Sequence, residues 1–375
     1  MAECADLQEL VRLLRARFKD DPRYCPDCVP DGFALRPEHD EDDAALEDFA
    51  LLDRICTAYI KAAERQSTAP PAFRPTDWWQ RITDKSLGPV ARALAMRDLD
   101  ALRRMYRNFF RDPCSTGLLG LPVDMPKCYF GACIDTFYRE FFLGDALHRL
   151  DLWRSWTGNR FPLSALGVPN IGNPYGVVID RVLIRIAAEY QHFYAQEIAR
   201  LLKPANPGTV MEIGGGFGGM AYYLIRDCPG VKYIDFDVPE TIALASYFLL
   251  KSFPKLRVTL YGEALDDSDI VLMPSFELPQ MRGNSVDVSF TSNVLRDMSV
   301  PVACEYIDHI VRVTRSHILS LDRLKTLGLF SDHLSRQAKS FSVTRTRRVF
   351  WNSARALQCD ELECLFSASL TKPSR

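Results

Sequence analysis

The chain has 375 residues, of which 47% are hydrophobic and 25% are charged, and its formal net charge is −2 at pH 7. This length exceeds a single ordinary core, so we expect two domains. The near-neutral charge gives no indication of nucleic-acid binding, and no apolar run approaches the roughly 20 residues that cross a bilayer. The first residues lack the basic start and unbroken apolar stretch of a signal peptide, so we expect a cytoplasmic protein.

The N-terminal part of the sequence is predominantly helical. Residues 1–66 show helical spacing interrupted by a proline-rich loop, and residues 113–180 are less regular. Cys25 and Cys28 have the spacing of a metal-binding knuckle, but no second pair lies at a usual zinc spacing, so we predict no metal site. We interpret residues 1–175 as a mainly helical domain that covers the substrate side of the site.

A long amphipathic pattern follows and predicts a helix over residues 180–202. One face of this helix carries polar side chains, among them Arg185, Glu189 and His192. His192 is therefore a candidate catalytic base. The alternative is an ordinary histidine on a solvent-exposed helix face.

Strands and helices alternate from Thr209 onward. The pattern contains five strand–helix units and a terminal hairpin, which predicts an α/β fold with a Rossmann-like sheet of seven strands in residues 176–375. Residues 269–281 are predicted to be irregular. The predicted strands are 209–213, 231–236, 256–261, 285–291, 317–321 and the two strands of the hairpin, and the helices are 218–227, one opened by Pro239, 301–314 and 326–340.

The segment VMEIGGGFGG, which ends in a glycine loop at 214–219, indicates a nucleotide site. Gly214, Gly216 and Gly219 fit the dinucleotide pattern G-x-G-x-x-G, whereas Glu212, Gly214, Gly216 and Gly218 fit the [DE]-x-G-x-G-x-G loop of S-adenosylmethionine-dependent methyltransferases. The acid favours the second pattern, because a carboxylate attracts an ammonium group and repels a diphosphate. This interpretation requires the Glu212 side chain to face the ligand rather than the interior.

Several motifs together resemble the sugar O-methyltransferase family, a branch of the class I S-adenosylmethionine-dependent methyltransferases. They are GNPYG, EYQHFYAQEI, VMEIGGGFGG, YIDFDVPET with SYFLLKSFP, and SVDVSFTSNVLRDM. The resemblance covers about residues 70–330, and it departs from the family at Asp297, where the family often has Glu. It implies the seven-stranded methyltransferase sheet and S-adenosylmethionine as cofactor.

The resemblance also implies which residues hold the cofactor. Glu212 and the glycines Gly214, Gly216 and Gly218 would hold its amino-acid half. Asp237 would accept hydrogen bonds from both ribose hydroxyls. Asp235 is the rival for that role. Both aspartates would point to the same face of their strand, and the one nearer the strand end is favoured.

The acceptor would be bound at the tip of the fourth strand. The resemblance implies that Ser292 and Asn293 border the methyl group and the acceptor, a small molecule or glycan precursor. A sugar hydroxyl is a weak nucleophile, so a base that removes its proton would add about 10²–10⁴-fold. His192, Asp297 and His309 are the candidates, and for His309 the alternative is a packed histidine in an apolar helix.

Three other functions remain open on the sequence alone, and one of them is a methyltransferase that acts on another small molecule or on protein. The same glycine loop would suit an NAD(P)-dependent oxidoreductase, and a non-catalytic scaffold could retain the methyltransferase fold. The sugar acceptor follows from the resemblance alone, because no residue pattern specifies a carbohydrate.

Overall fold

The structure is a computed structural model that describes residues 2–25, 42–120, 136–202, 208–265, 267–334, 341–351 and 361–368. The chain forms two compact units. The helical unit comprises Met1–Asp53, Lys85–Tyr194 and Phe350–Cys359, and the sheet unit comprises Arg54–Asp84, Ala195–Val349 and Asp360–Arg375. The domains at 1–175 and 176–375, which were defined by their roles toward acceptor and cofactor, remain a prediction. Cys28 lies outside the described residues.

The described segments contain helices α1 to α11 and strands β1 to β10. None of these helices combines the length and the apolar character that crossing a membrane requires. The helices are Ala2–Phe18, Asp42–Gln66, Asp77–Ile82, Gly88–Met96, Leu99–Tyr106, Thr136–Thr157, Ala188–Leu201, Gly219–Asp227, Pro239–Ser252, Val300–Val313 and Leu324–Leu334. The strands are Gly176–Ile179, Val182–Arg185, Thr209–Ile213, Lys232–Asp237, Val258–Leu260, Ile270–Pro274, Val286–Ser292, Thr314–Arg323, Phe341–Arg348 and Glu361–Ala368.

The helix predicted from residue 180 begins only at Ala188. The preceding residues form an antiparallel hairpin of β1 and β2, in which Ile179 pairs with Val182. The two residues between them, Asp180 and Arg181, both have left-handed φ values of 50° and 64°, as the tightest hairpin turns require. The sequence GVVIDRVLIR is rich in β-branched residues, and this local preference prevails over the helical spacing.

The predicted polar face of α7 is not exposed. Arg185, which precedes the helix, and Glu189 and His192 within it are all buried. The expectation of a solvent-exposed face is therefore wrong. The polar side chains find partners inside the helical unit instead, as described below.

The sheet unit contains one eight-stranded sheet with the order β5-β6-β4-β3-β7-β8-β10-β9. Seven strands run in one direction, and β10 runs antiparallel to both β8 and β9. This confirms the predicted α/β fold class, with eight strands instead of seven. The additional strand is β6, in the stretch predicted to be irregular. Its apolar run IVLMP is typical of a strand covered on both faces, which has no alternating pattern.

The core of the sheet unit includes a segment that precedes the sheet by more than a hundred residues. Ala69, Ala72 and Phe73 are buried in the same cluster as the core side chains of β3 and α10. The Phe73 ring lies 5.1 Å from that of Tyr306, centroid to centroid. Residues before Asp84 thus complete the hydrophobic core of the α/β fold.

Candidate active site

The candidate site lies at the carboxyl ends of the central strands. Strand β3 pairs with β4 on one side and with β7 on the other, so the chain order along the sheet reverses between β3 and β7. Ligands of open α/β sheets bind outside the carboxyl ends of the strands at such a reversal. The glycine loop follows β3, Asp237 ends β4, and Ser292 ends β7.

The glycine loop has a backbone that only glycine adopts readily. Gly214, Gly216 and Gly218 have φ values of 78°, 60° and 88°. A Cβ atom on Gly214 would lie 2.3 Å from Cγ2 of Val294, which follows β7, so the loop and the tip of β7 are in close contact. Gly218 also precedes the first residue of α8. The sequence pattern thus corresponds to a tight turn into a helix, as a nucleotide loop requires.

Two aspartates of β4 accept hydrogen bonds from this loop. The Gly215 N–H donates to Oδ1 of Asp235 over 3.1 Å, and the Gly216 N–H donates to Oδ2 of Asp237 over 3.3 Å. Asp237 also accepts from the Val238 N–H over 2.7 Å. Asp235 is fully buried, whereas Asp237 is only half-buried. Of the two rivals for the ribose, Asp237 is therefore the accessible one.

Glu212 does not present an open carboxylate. Glu212 is only 4% exposed, and its Oε2 accepts a hydrogen bond from the Tyr233 hydroxyl over 2.5 Å. The cause is its position on a central strand, where Tyr233 of the adjacent strand covers it. The requirement that Glu212 face the ligand directly is therefore not met, and its contact with a cofactor remains a prediction. The attraction of a cation to this site therefore depends on further acids besides Glu212.

Three carboxyl groups meet here, and we call Glu212, Asp235 and Asp237 the carboxyl cluster. Burial raises the pKa of Glu212 to about 8 and that of Asp237 to about 7. Burial, followed by the charges of the other two, holds the pKa of Asp235 well above its usual range. None of the three forms an ion pair with a basic side chain of the described residues. A cation would be stabilised here and a diphosphate repelled.

The tip of β7 ends in a left-handed turn. Asn293 has a φ of 60°, its N–H donates to the Leu321 carbonyl over 2.8 Å, and its Nδ2 donates to the Ser292 hydroxyl over 3.2 Å. Its Oδ1 has no hydrogen-bond partner within the described part of the chain. Asparagine adopts this left-handed conformation more readily than most non-glycine residues, so it suits the turn that ends β7.

Asp297 lies in the short helix Leu295–Asp297 that follows this tip. It is half-buried, and burial raises its pKa against the opposing charges of Arg296 and Arg323. Asp322 supports the same turn from β8, because it accepts hydrogen bonds from the N–H groups of Arg296 and Arg323 over 3.2 and 2.7 Å. Among the described residues, no group of three or more potential metal ligands occurs.

The two candidate histidines have different surroundings. His192 belongs to the helical unit and is fully buried, and its Nδ1 accepts a hydrogen bond from Trp153 Nε1 over 3.1 Å. That nitrogen therefore carries no proton, and the ring is neutral. His309 lies on α10 of the sheet unit with its ring 5.6 Å from that of Phe73, as expected of a packed histidine. The other predicted site residues all belong to the sheet unit.

Sequence reasoning missed a group of side chains around Glu240, in the first turn of α9. The Trp79 indole N–H and the Thr83 hydroxyl both donate to its Oε1, over 3.3 and 3.0 Å. The charge of Glu240 contributes to the raised pKa of Asp237. No local signal could have found this contact, since Trp79 and Glu240 are 161 residues apart. Tyr233 could have been found, because residues two apart along a strand point to the same face, and Tyr233 therefore shares a face with Asp235 and Asp237.

The sheet order, with one reversed strand between β8 and β9, and the glycine loop after β3 define a Rossmann-like methyltransferase fold. No protein-family model matches the chain. It is 27% identical over 112 residues to the ribosomal RNA small subunit methyltransferase H of Thermotoga neapolitana, which corresponds to 29% of this chain and 37% of that protein. The chain thus matches little more than a third of that relative's length.

Two solved structures are similar to part of the chain. The magnesium protoporphyrin IX methyltransferase of Synechocystis PCC 6803, with bound S-adenosylmethionine, is 15% identical, with 64% of this chain and 100% of that chain covered and a TM-score of 0.35. The mitomycin 7-O-methyltransferase is 16% identical, with 49% and 56% covered and a TM-score of 0.34.

Proposed function

We propose that the chain is an S-adenosylmethionine-dependent methyltransferase. The observation that supports this most is the carboxyl cluster, which lies directly against the glycine loop without a basic partner among the described residues. Such a site suits a nucleoside that carries a positive charge and disfavours the anionic diphosphate of NAD(P). The glycine loop has no side chains from Gly214 to Gly216, so its backbone offers the close approach that the nucleoside needs.

Each residue of the site has a proposed role toward the cofactor. Asp237, half-buried at the end of β4, accepts hydrogen bonds from the ribose hydroxyls. Glu212 contributes its charge toward the ammonium group from beneath, with Tyr233 fixing its orientation. Gly216 and Gly218 allow the amino-acid half to lie along the loop.

The proposed acceptor is a hydroxyl of a sugar or glycan precursor, which rests on the family resemblance. Bound S-adenosylmethionine supplies a methyl group that is already activated on a sulfonium. The chain must then hold the acceptor oxygen in line, which contributes about 7–11 kcal/mol. We assign this positioning to Ser292 and Asn293, whose Oδ1 has no partner among the described residues. Asp297 is the proposed base, because burial raises its pKa above the usual carboxyl range, and His192 is the alternative.

A calorimetric titration of the full chain tests the cofactor. We expect micromolar binding of S-adenosylhomocysteine and no heat with NADH or NADPH. Binding of NADH without binding of S-adenosylhomocysteine would favour the oxidoreductase and overturn the proposal. Binding of neither ligand would favour the non-catalytic scaffold. In that case Glu212→Ala would also leave the calorimetric result unchanged.

A transfer assay tests the acceptor. Methyl-labelled S-adenosylmethionine is incubated with the protein and a panel of monosaccharides, nucleotide sugars and small-subunit ribosomal RNA. The proposal expects label in a sugar fraction that base hydrolysis does not release, since an ether resists it and an ester does not. Label in RNA alone would refute the sugar acceptor while retaining the methyltransferase.

A further inference from the structure

The glycine loop contains one glycine that neither sequence pattern requires. Gly214, Gly216 and Gly218 all have positive φ values, but Gly215 between them does not. The backbone conformation therefore does not explain the absence of a side chain at Gly215. Its surroundings do, because a Cβ atom there would lie 2.6 Å from Oδ2 and 2.8 Å from Cγ of Asp235.

Asp235 contacts the loop backbone rather than an open surface. It is 0% exposed, pairs in register with Glu212 of β3, and accepts the Gly215 N–H at Oδ1 over 3.1 Å. Asp237 lies two residues further along the same face, at the half-buried strand end. A ribose that arrives from the carboxyl end of the sheet therefore meets Asp237, while Asp235 lies behind the loop.

The second oxygen of Asp235 has no hydrogen-bond partner among the residues that the structure describes. Burial, followed by the neighbouring charges of Asp237 and Glu212, raises its pKa well above the usual range. Other titratable groups that interact with this cluster are Tyr233, on the same strand, Glu240, beside Asp237, and Tyr306 of α10. The hydrogen bond from the Gly215 N–H needs only one acceptor oxygen, so it does not depend on a charge at Asp235.

We propose that Asp235 is a positioning residue that fixes the glycine loop through the Gly215 N–H and does not contact the nucleoside. The proposal rests on the proposed function in one respect, namely that this loop holds the cofactor. Its role is to keep the loop in the conformation that the ligand binds, so its removal should act through the loop. The contact with Gly215 depends on the shape and the acceptor oxygen of Asp235 rather than on its charge.

Three substitutions separate this role from direct ligand contact. Asp235→Asn keeps an acceptor oxygen, so we expect S-adenosylhomocysteine affinity within about 3-fold of wild type. Asp235→Leu removes the acceptor and should weaken binding by about 10-fold or more. Gly215→Ala leaves the acid in place but inserts a Cβ 2.6 Å from it, and should weaken binding to a similar extent. Asp237→Asn is the matched control, and it should weaken binding by about 10-fold or more because Asp237 is the proposed ribose ligand.

Amide hydrogen exchange of residues 214–219 provides a readout that needs no ligand. We expect faster exchange in Asp235→Leu and Gly215→Ala, and wild-type exchange in Asp235→Asn. If wild type fails to bind S-adenosylhomocysteine, the proposed function fails, while the exchange pattern still tests the role of Asp235. Loss of affinity in Asp235→Asn as large as in Asp237→Asn, or unchanged exchange in Asp235→Leu and Gly215→Ala, would overturn the proposal.

The pH dependence of unfolding tests the raised pKa of Asp235, which a purely steric role would not require. A carboxyl whose folded pKa is raised loses its proton more readily in the unfolded state, so the wild type is destabilised as pH rises above about 4. Asp235→Asn lacks this penalty. We therefore expect the Tm of Asp235→Asn to rise relative to wild type between pH 5 and pH 8. A Tm difference that is independent of pH would contradict the raised pKa of Asp235.

Discussion

Two groups of buried charged side chains, one in each unit, have opposite surroundings. In the helical unit, buried Arg185 donates to the Gln191 side chain and to the Ile186 carbonyl, and it lies over the Phe110 ring. Glu189 there lies close enough to Arg149 and Arg185 that their charges oppose the effect of burial on its pKa. In the sheet unit, the carboxyl cluster brings three acids together, and only Tyr233 and backbone N–H groups donate to it among the described residues.

This difference distinguishes buried charged groups that stabilise the fold from those that bind a ligand. Mixed signs with hydrogen-bonded partners satisfy one another and fix a local structure. Like charges close together raise each other's pKa and are costly unless something outside the chain neutralises them. The comparison therefore assigns the helical-unit group to architecture and the carboxyl cluster to binding. The following predictions test that assignment.

The largest effect is expected at the glycine loop. Gly214→Ala forces a side chain into a φ of 78° and places its Cβ 2.3 Å from Val294, so it should cost roughly 1–3 kcal/mol and abolish S-adenosylhomocysteine binding. Gly328→Ala is the control, because its Cβ meets nothing within 4 Å and a helical alanine should stabilise α11 by up to about 1 kcal/mol. Thermal unfolding and calorimetry measure both. Full binding by Gly214→Ala would show that the loop does not touch the ligand.

The next largest effect is expected at Asp237. Replacement by Asn removes a charged acceptor, which should weaken S-adenosylhomocysteine binding by about 10- to 100-fold. Because the pKa of Asp237 is raised to about 7 in the free protein, wild-type affinity should increase as pH rises from 6 to 8, where the carboxylate forms. The variant should show a flatter profile over this range. An affinity profile that is the same in both proteins would remove Asp237 from the site.

A smaller effect, on stability alone, is expected at His192. His192→Phe keeps the ring packing against Trp153 and Phe161 but leaves the buried Trp153 N–H unpaired, which should cost about 1–3 kcal/mol. Cofactor affinity should stay unchanged. A variant with wild-type stability and a loss of methyl transfer above 100-fold would instead identify His192 as the base and remove it from the architectural group.

The smallest effect is expected at Thr83, whose hydroxyl donates to Glu240. Thr83→Val removes one of two hydrogen bonds to Glu240, three residues after Asp237, and should weaken cofactor binding by no more than about 5-fold. Thr83→Ser keeps the hydroxyl and serves as the control. If both variants lowered affinity equally, packing rather than the hydrogen bond would account for the effect.

Much of the fold could be predicted because its signals are local. The start of the helix opened by Pro239 and the strands at 209–213 and 285–291 agree with the structure within a residue or two, and the terminal hairpin is present as β9 and β10. Strand β6 was missed because its apolar run has no alternation to distinguish it. The hairpin before α7 was read as helix because β-branched residues happened to fall at helical spacing.

The candidate site was only partly predictable, because its contacts depend on strand register. The sequence indicated the glycine loop, Asp237 and the tip at Asn293, all at strand ends. It could not indicate that Tyr233 covers Glu212, nor that Asp235 lies behind the loop, since both require knowing which residues of β3 and β4 are neighbours.

The most direct test of the central claim is the number of protons released when S-adenosylhomocysteine binds. Calorimetric titrations at pH 7, in two buffers of different ionisation enthalpy, measure this number. If the carboxyl cluster receives the ammonium group and the ribose, then Asp237 and Glu212, with pKa values of about 7 and 8, must ionise on binding, so net release of protons is predicted. Binding with no release, or with uptake, would contradict it.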